Sequence, residues 1–186
     1  MKPTSRKELG NYLNHLGLTG LGVEVGVAYG ENSFDILSTW KGYGLFLIDP
    51  YDVSKCDTYI DTSNKIDFDK CLIYCRDKLR KFDLRTIHIR DTSDNAVQYL
   101  KGMQLDFVYL DGNHHNPQIT RDLENYWQLI KPGGLLCGHD YYNLDTPEYK
   151  CEVQSSVDQF LAKTPHKDFF VTSECTSWYL LKPVLT

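Results

Sequence analysis

The sequence predicts an α/β protein: a doubly wound, mostly parallel sheet of seven strands, closed by an antiparallel hairpin with a reversed last strand. Three observations carry this reading. Period-2 and period-3.6 hydrophobic patterning alternate along the chain, which is the mark of parallel strands joined by helical crossovers. Four successive strand patterns end on an acidic residue, at Asp49, Asp91, Asp111 and the pair His139-Asp140. The last two strand patterns, 169–172 and 178–181, are only about five residues apart, whereas a parallel crossover needs about a dozen, so they must form a hairpin.

Each element follows from its residues. Ser5-Arg6-Lys7-Glu8 reads as a capping box that opens a helix through about His15. Leu21, Val23 and Val25 alternate as a first strand, and 31–40 follows as a helix. Residues 45–48 form a second, buried strand. After a polar loop, Phe68, Leu72, Cys75, Leu79 and Phe82 fall at spacings of 4, 3, 4 and 3, one face of a helix. Residues 86–89 are the third strand, 94–100 a short helix and 105–110 the fourth strand. Asn116-Pro117 reads as a cap and first-turn proline for a helix carrying Ile119, Leu123, Tyr126, Trp127 and Ile130. Pro132-Gly133-Gly134 stops that helix and starts the fifth strand, 135–138. Val153, Val157, Phe160 and Leu161 mark the last helix.

The chain of 186 residues suits one domain: an N-terminal helix over 1–20 and a core over 21–183. Its 41% hydrophobic and 24% charged residues exclude disorder. No apolar run approaches a membrane span, and the N-terminus lacks a leader's apolar core, so the expectation is a cytoplasmic protein with no membrane partner. With 20 basic against 25 acidic residues and no basic stripe, no nucleic-acid partner is expected. The six cysteines are irregularly spaced without Cys-x-x-Cys, and Cys71 and Cys75 read as core residues.

In open α/β sheets ligands bind beyond the carboxyl ends of the strands. Any single aspartate there could merely start a turn; four in succession favour a ligand site. The first strand–helix junction, Val23-Glu24-Val25-Gly26-Val27-Ala28-Tyr29-Gly30-Glu31-Asn32-Ser33, has two glycines that let the backbone turn beside a ligand. Its spacing is Gly-x-x-x-Gly rather than Gly-x-Gly-x-x-Gly, and Glu31 sits where a pyrophosphate would lie. Glu24 inside an apolar strand needs a partner if buried. Such a loop suits a ligand with a cation and hydroxyls better than one rich in phosphate. Asp49, 23 residues after Gly26, is placed to accept hydrogen bonds from the hydroxyls of a ribose.

With Leu47-Ile48-Asp49-Pro50 and Leu105-Asp106-Phe107-Val108-Tyr109-Leu110-Asp111-Gly112-Asn113-His114, this junction resembles the Rossmann-like class I S-adenosylmethionine-dependent methyltransferases. The resemblance is greatest to the small branch of metal-dependent O-methyltransferases of sugars, macrolides and catechols. Ile130-Lys131-Pro132-Gly133-Gly134-Leu135-Leu136-Cys137-Gly138-His139-Asp140-Tyr141 is similar to that branch's fifth-strand motif, and Ser177-Trp178-Tyr179-Leu180-Leu181-Lys182-Pro183 to its last strand. The match spans about 20–183. It implies S-adenosyl-L-methionine contacts by Glu24, Gly26, Gly30 and Ser33 around the methionine part. Asp49 would hold the ribose, Asp91 and Thr92 would lie near the adenine, and Asp111 would border the cofactor. It further implies a divalent ion, Mg2+ or Mn2+, at Asp111 and Asp140 with His139 beside them, and His114 as general base.

The implied chemistry fits these residue types. A hydroxyl is a poor nucleophile until it loses its proton, and an imidazole is matched to that task near neutral pH. His139 departs from an all-oxygen set, pointing either to Mn2+ or Fe2+, to a supporting role, or to no metal. His115 beside His114 leaves the base ambiguous. The aromatic residues are 13% of the chain, and Tyr141-Tyr142 reads as lining an acceptor pocket. With no long insertion, the acceptor site is expected to be open or completed by a partner subunit, leaving a homo-oligomer open. The resulting reading is O-methylation of a small-molecule hydroxyl. Its competitors are a nicotinamide oxidoreductase, a non-heme iron oxygenase built on Asp111, His114, His139 and Asp140, and a non-catalytic cofactor-binding module.

Overall fold

A computed structural model of the chain describes residues 1–55, 67–174 and 176–184. Cys56 and Cys175 lie outside the described residues. A 3-10 turn, Arg6–Glu8, runs into α1 (Leu9–His15). Then come β1 (Leu21–Val25), α2 (Glu31–Thr39), β2 (Gly44–Ile48), α3 (Phe68–Leu79), β3 (Thr86–Ile89), α4 (Ser93–Tyr99) and β4 (Leu105–Leu110). The chain continues through α5 (Gln118–Leu129), β5 (Ile130–Gly138), β6 (Asn143–Asp145), β7 (Lys150–Glu152), α6 (Val153–Lys163), β8 (Asp168–Val171) and β9 (Trp178–Leu181).

Seven strands form one sheet in the order β3-β2-β1-β4-β5-β9-β8, with β6-β7 as a separate pair. The first five are parallel, and β9 runs antiparallel to both β5 and β8. The order reverses direction between β1 and β4, the switch point where open sheets leave a crevice.

Alternation along the strands sorts side chains between two faces. Val23, Val25, Phe46, Ile48, Val108, Leu110 and Leu136 pack with residues of α4, α5 and α6. Leu45, Leu47, Phe107, Tyr109, Leu135, Cys137 and Tyr179 pack with residues of α1, α2 and α3. Each fully buried apolar side chain stabilises by about 1.5–3 kcal/mol, so the two layers together hold the strand ends rigidly in register. Cys71 and Cys75 are buried core residues, as expected, and burial pushes the Cys71 thiol up to about 12.

The structure departs from the local expectations at four places. Ser5 makes no capping hydrogen bond; Glu8 instead accepts from the backbone N–H and hydroxyl of Thr4, one residue upstream. The α3 pattern ends at Leu79, and Phe82 sits in a 3-10 stretch, Arg80–Arg85, that tightens into β3. Asn116-Pro117 is a cis bond, α5 starts at Gln118, and the Asn116 carboxamide accepts from the Thr120 hydroxyl rather than a backbone N–H. Finally, β5 begins at Ile130, because Gly133 takes φ 77 and lets the strand bend without ending. The β6–β7 pair is absent from the sequence reading; its first strand is wholly exposed and so has no alternation to read.

Candidate active site

The carboxyl ends of β1 to β4 rim a cavity of about 570 Å³. Of the residues expected at a cofactor, Gly26, Asp49, Asp91, Thr92 and Asp111 line it. Gly26 carries φ 82, and a Cβ there would collide with the Asp111 carbonyl oxygen, so only glycine lets β1 turn this close to the end of β4.

The loop after Gly26 is held by Asp49. Its Oδ2 accepts from the N–H of Val27 (3.0 Å) and Ala28 (2.9 Å), and its Oδ1 accepts from Tyr51 N–H (2.7 Å). Burial pushes the Asp49 carboxyl up, and these three donors only partly offset it. Ala28 and Tyr51 both lie in the left-handed region, at φ 46 and 47, where non-glycine residues are strained. The Asp49 hydrogen bonds hold that strain in place. On the other rim Asp91 Oδ1 accepts from Thr92 N–H and Asn95 Nδ2, both at 2.8 Å, and the Asn95 contact keeps its carboxyl low.

Ser93, Gln118 and Arg121 also line the cavity, and sequence reasoning missed them. Gln118 Nε2 donates to Ser93 Oγ (3.0 Å) and to Asp122 Oδ1 (2.9 Å). Asp122 is buried, and burial pushes its carboxyl up to about 7. The available signal was an acid on the apolar face of α5, one turn after Gln118.

Glu24, Gly30 and Ser33 do not line the cavity. Val23 and Val25 point to one face of the sheet, so Glu24 points to the other, beneath the start of α2. There it is 1% exposed and accepts from Asn32 Nδ2 (3.0 Å) and the Ser33 hydroxyl. Burial dominates and pushes Glu24 up to about 7, a carboxyl poised to gain or lose a proton at neutral pH. Gly30 begins α2 with φ 75, and a Cβ would press on the Cys75 sulfur.

A second cluster lies at the ends of β4 and β5. His114 Nε2 is 3.6 Å from Asp111 Oδ1 and 3.5 Å from Asp140 Oδ2. His139 Nδ1 is 2.7 Å from Asp140 Oδ1 and 4.0 Å from Asp111 Oδ1. Burial raises the Asp140 carboxyl, but the His139 hydrogen bond and the charges of His114, His139 and Arg6 outweigh it and hold it low. Asp140 is a third left-handed position, φ 54, tolerated by aspartate and fixed by the Tyr141 N–H bond to the Thr176 carbonyl. His115 is buried and feels the charge of Glu152, and burial lowers its ring's basicity. Of the two adjacent histidines, His114 is therefore the one at the cluster.

Two members were missed. Arg6, in the first helical turn, brings a guanidinium nitrogen to 3.4 Å from Asp111 Oδ2. Tyr149, just before β7, bonds the other ring nitrogen of His114 at 2.9 Å. Tyr141, expected at an acceptor pocket, instead directs its hydroxyl to Asp158.

A protein-family model described as a methyltransferase domain matches residues 23–141, more than half of the chain. The chain belongs to that family. The family is one of methyltransferases. The O-methyltransferase of Bacillus cereus in complex with S-adenosylhomocysteine is 16% identical, with a TM-score of 0.65 over 98% of this chain and 82% of that one. The Streptomyces achromogenes O-methyltransferase of tomaymycin synthesis, in complex with S-adenosylmethionine, is 15% identical, with a TM-score of 0.66 and the same coverage. An rRNA methylase of Streptococcus thermophilus is 12% identical, with a TM-score of 0.60 over 100% of this chain and 99% of that one. At these identities the likeness is one of fold. No curated protein matches the sequence.

The cavity has the features an S-adenosylmethionine molecule would need: a glycine-tight wall at Gly26, and polar groups at Asp49, Asp91 and Thr92 spaced along it. The second cluster suits a divalent ion. Asp111, His139 and Asp140 each offer one ligand atom, all within 4.8 Å of one another. Two carboxylates with one imidazole favour Mn2+ or Fe2+ over Mg2+.

Proposed function

We propose that the protein methylates a hydroxyl of a small molecule, a sugar, polyketide or phenol, with His114 as the general base. The observation that carries this reading is the position of His114, whose Nε2 lies within 3.6 Å of two strand-end carboxylates, Asp140 and Asp111, the latter lining the donor cavity. S-adenosylmethionine, when bound, would supply an electrophilic methyl whose transfer to the acceptor oxygen releases a neutral thioether. His114 Nε2 would take the proton that the acceptor hydroxyl gives up. Asp111 and Asp140 then face the imidazolium and stabilise its charge; a base so placed contributes about 10²–10⁴-fold.

On the donor side Asp49 would accept the ribose hydroxyls through its remaining lone pairs. Asp91 and Thr92 would meet the adenine and Gly26 the methionine part. Glu24, Gly30 and Ser33 would act from beneath, by fixing the start of α2. Asp111, His139 and Asp140 would hold the divalent ion, whose charge lowers the pKa of a nearby hydroxyl. The same reading has one cytoplasmic domain with no nucleic-acid or membrane partner. Among the described residues no helix is long and apolar enough to cross a membrane, and the net charge of −5 disfavours a polyanion.

The test is methyl transfer from radiolabelled donor to a panel of sugars, macrolides, phenols and ribosomal RNA, with Mn2+, Mg2+ or chelator. Label in a small-molecule hydroxyl, lost in His114→Gln, is the expected result. Label in RNA alone, or transfer undiminished in His114→Gln, would overturn the proposal.

A further inference from the structure

Behind the cavity wall made by α4 and α5 lies a buried carboxyl that methyl transfer does not use. Asp122 is 3% exposed, and it holds two side chains that line the cavity. It accepts from Gln118 Nε2 at 2.9 Å and from the Ser93 hydroxyl, and the same Gln118 nitrogen donates to Ser93 Oγ at 3.0 Å. The Tyr126 hydroxyl donates to the Ser93 carbonyl at 3.0 Å and fixes the start of α4. On the open side Arg121 Nη2 donates to Gln118 Oε1, and Arg121 Nε is itself held 3.3 Å from the Asp94 carboxylate.

These partners decide which way round the carboxamide sits. A guanidinium has no acceptor, so the Gln118 atom beside Arg121 must be oxygen; a carboxylate has no donor, so the atom beside Asp122 must be nitrogen. Turning the amide over would set donor against donor at one end and acceptor against acceptor at the other. Both amide hydrogens and the Ser93 hydroxyl proton are therefore spent inside the protein. All that the Gln118 side chain has left for a ligand in the cavity is the second lone pair of Oε1, which reads only an N–H or O–H. We propose that Gln118 selects the base of the methyl donor, accepting from the exocyclic amine of a 6-aminopurine and rejecting a 6-oxopurine, with Asp122 as the residue that positions it. Ile48 and Phe68 line the same cavity and offer apolar faces to a flat ring. A 6-oxo group in place of the amine would set oxygen against oxygen at Gln118. This rests on the methyl donor being S-adenosylmethionine and is independent of His114.

The experiment is calorimetric titration of S-adenosylhomocysteine and S-inosylhomocysteine into the full chain, with adenosine and inosine as a second pair. It is run at about pH 8.5, above the raised value of about 7 for Asp122, so that this carboxyl only accepts. The amino compound of each pair should bind about 100-fold more tightly than the oxo compound. That ratio compares two ligands on the same folded molecules, so a loss of stability alone leaves it unchanged. Gln118→Leu should bring it to within about threefold, and Asp122→Asn, which can pair with the amide either way round, should lower it about tenfold. Equal binding of the two bases by the wild type, or a ratio unmoved in Gln118→Leu, would overturn the inference. A ratio lost in Gln118→Leu but kept in Asp122→Asn would overturn the positioning by Asp122. If adenosine is preferred to inosine while S-adenosylhomocysteine does not bind, Gln118's role stands and the reading of the methyl donor falls; binding of none of the four would overturn both.

Discussion

The two ends of the site are built by different physics. At the donor end the determining contacts come from the main chain: three backbone N–H groups on Asp49, and a glycine turn wedged against the Asp111 carbonyl. At the acceptor end the contacts are between ionisable side chains from three separate segments, Arg6, Asp111 with His114, and His139-Asp140, at 2.7 to 4.0 Å. Main-chain hydrogen bonds set by strand ends change little with ions in solution. Partly buried charges respond strongly to both ions and substitution. The difference teaches that donor affinity and turnover should be separable by mutation.

The largest effect expected is in turnover. His114→Gln should lower kcat by about 10²–10⁴-fold while donor affinity, measured by calorimetry, stays within about threefold. A matching loss of affinity would mean that the two ends are not separate. Next is Asp49→Ala, which leaves three N–H groups without their acceptor, each costing about 1–3 kcal/mol where water cannot replace it. Donor affinity should fall about 100-fold and the thermal midpoint should drop, and an unchanged midpoint would deny Asp49 its hold on the loop. A smaller change is expected of Asp140→Asn, with Mn2+ binding weakened about tenfold and donor affinity preserved.

The smallest effect is a pH slope. The folded-state pKa of Glu24 is raised from 4.5 to about 7, so the fold keeps a proton that the unfolded chain gives up. Stability should therefore fall as pH rises from about 4.5 to 7, by at most about 1.4 kcal/mol per pH unit for this group. Asp122, raised to about 7, adds a slope of the same sign. Urea midpoints between pH 5 and 7.5 should show Glu24→Gln reducing the slope without abolishing it; an unaltered slope would mean that Glu24 ionises freely.

Most of the fold was legible because strand and helix periods alternate, and the hairpin followed from a loop too short to cross over. The strand-end aspartates and Gly26 were legible because topology puts strand ends at a crevice whatever the packing, whereas His114 was singled out through the family resemblance. Arg6 was not, since its partner Asp111 is 105 residues away and the local pattern says only helix start. Tyr149 was hidden by a β-pair whose exposed strand carries no hydrophobic rhythm. Glu24 was legible as an oddity, but its partners were not: Asn32 and Ser33 reach it only once α2 packs over β1.

The most direct measurement is calorimetric titration of S-adenosylhomocysteine into the full chain, side by side with Asp49→Ala shown to be folded by circular dichroism. Micromolar binding, weakened about 100-fold in the variant, is what an Asp49-anchored donor cavity requires. No binding to the wild type, or equal binding to both, would contradict it.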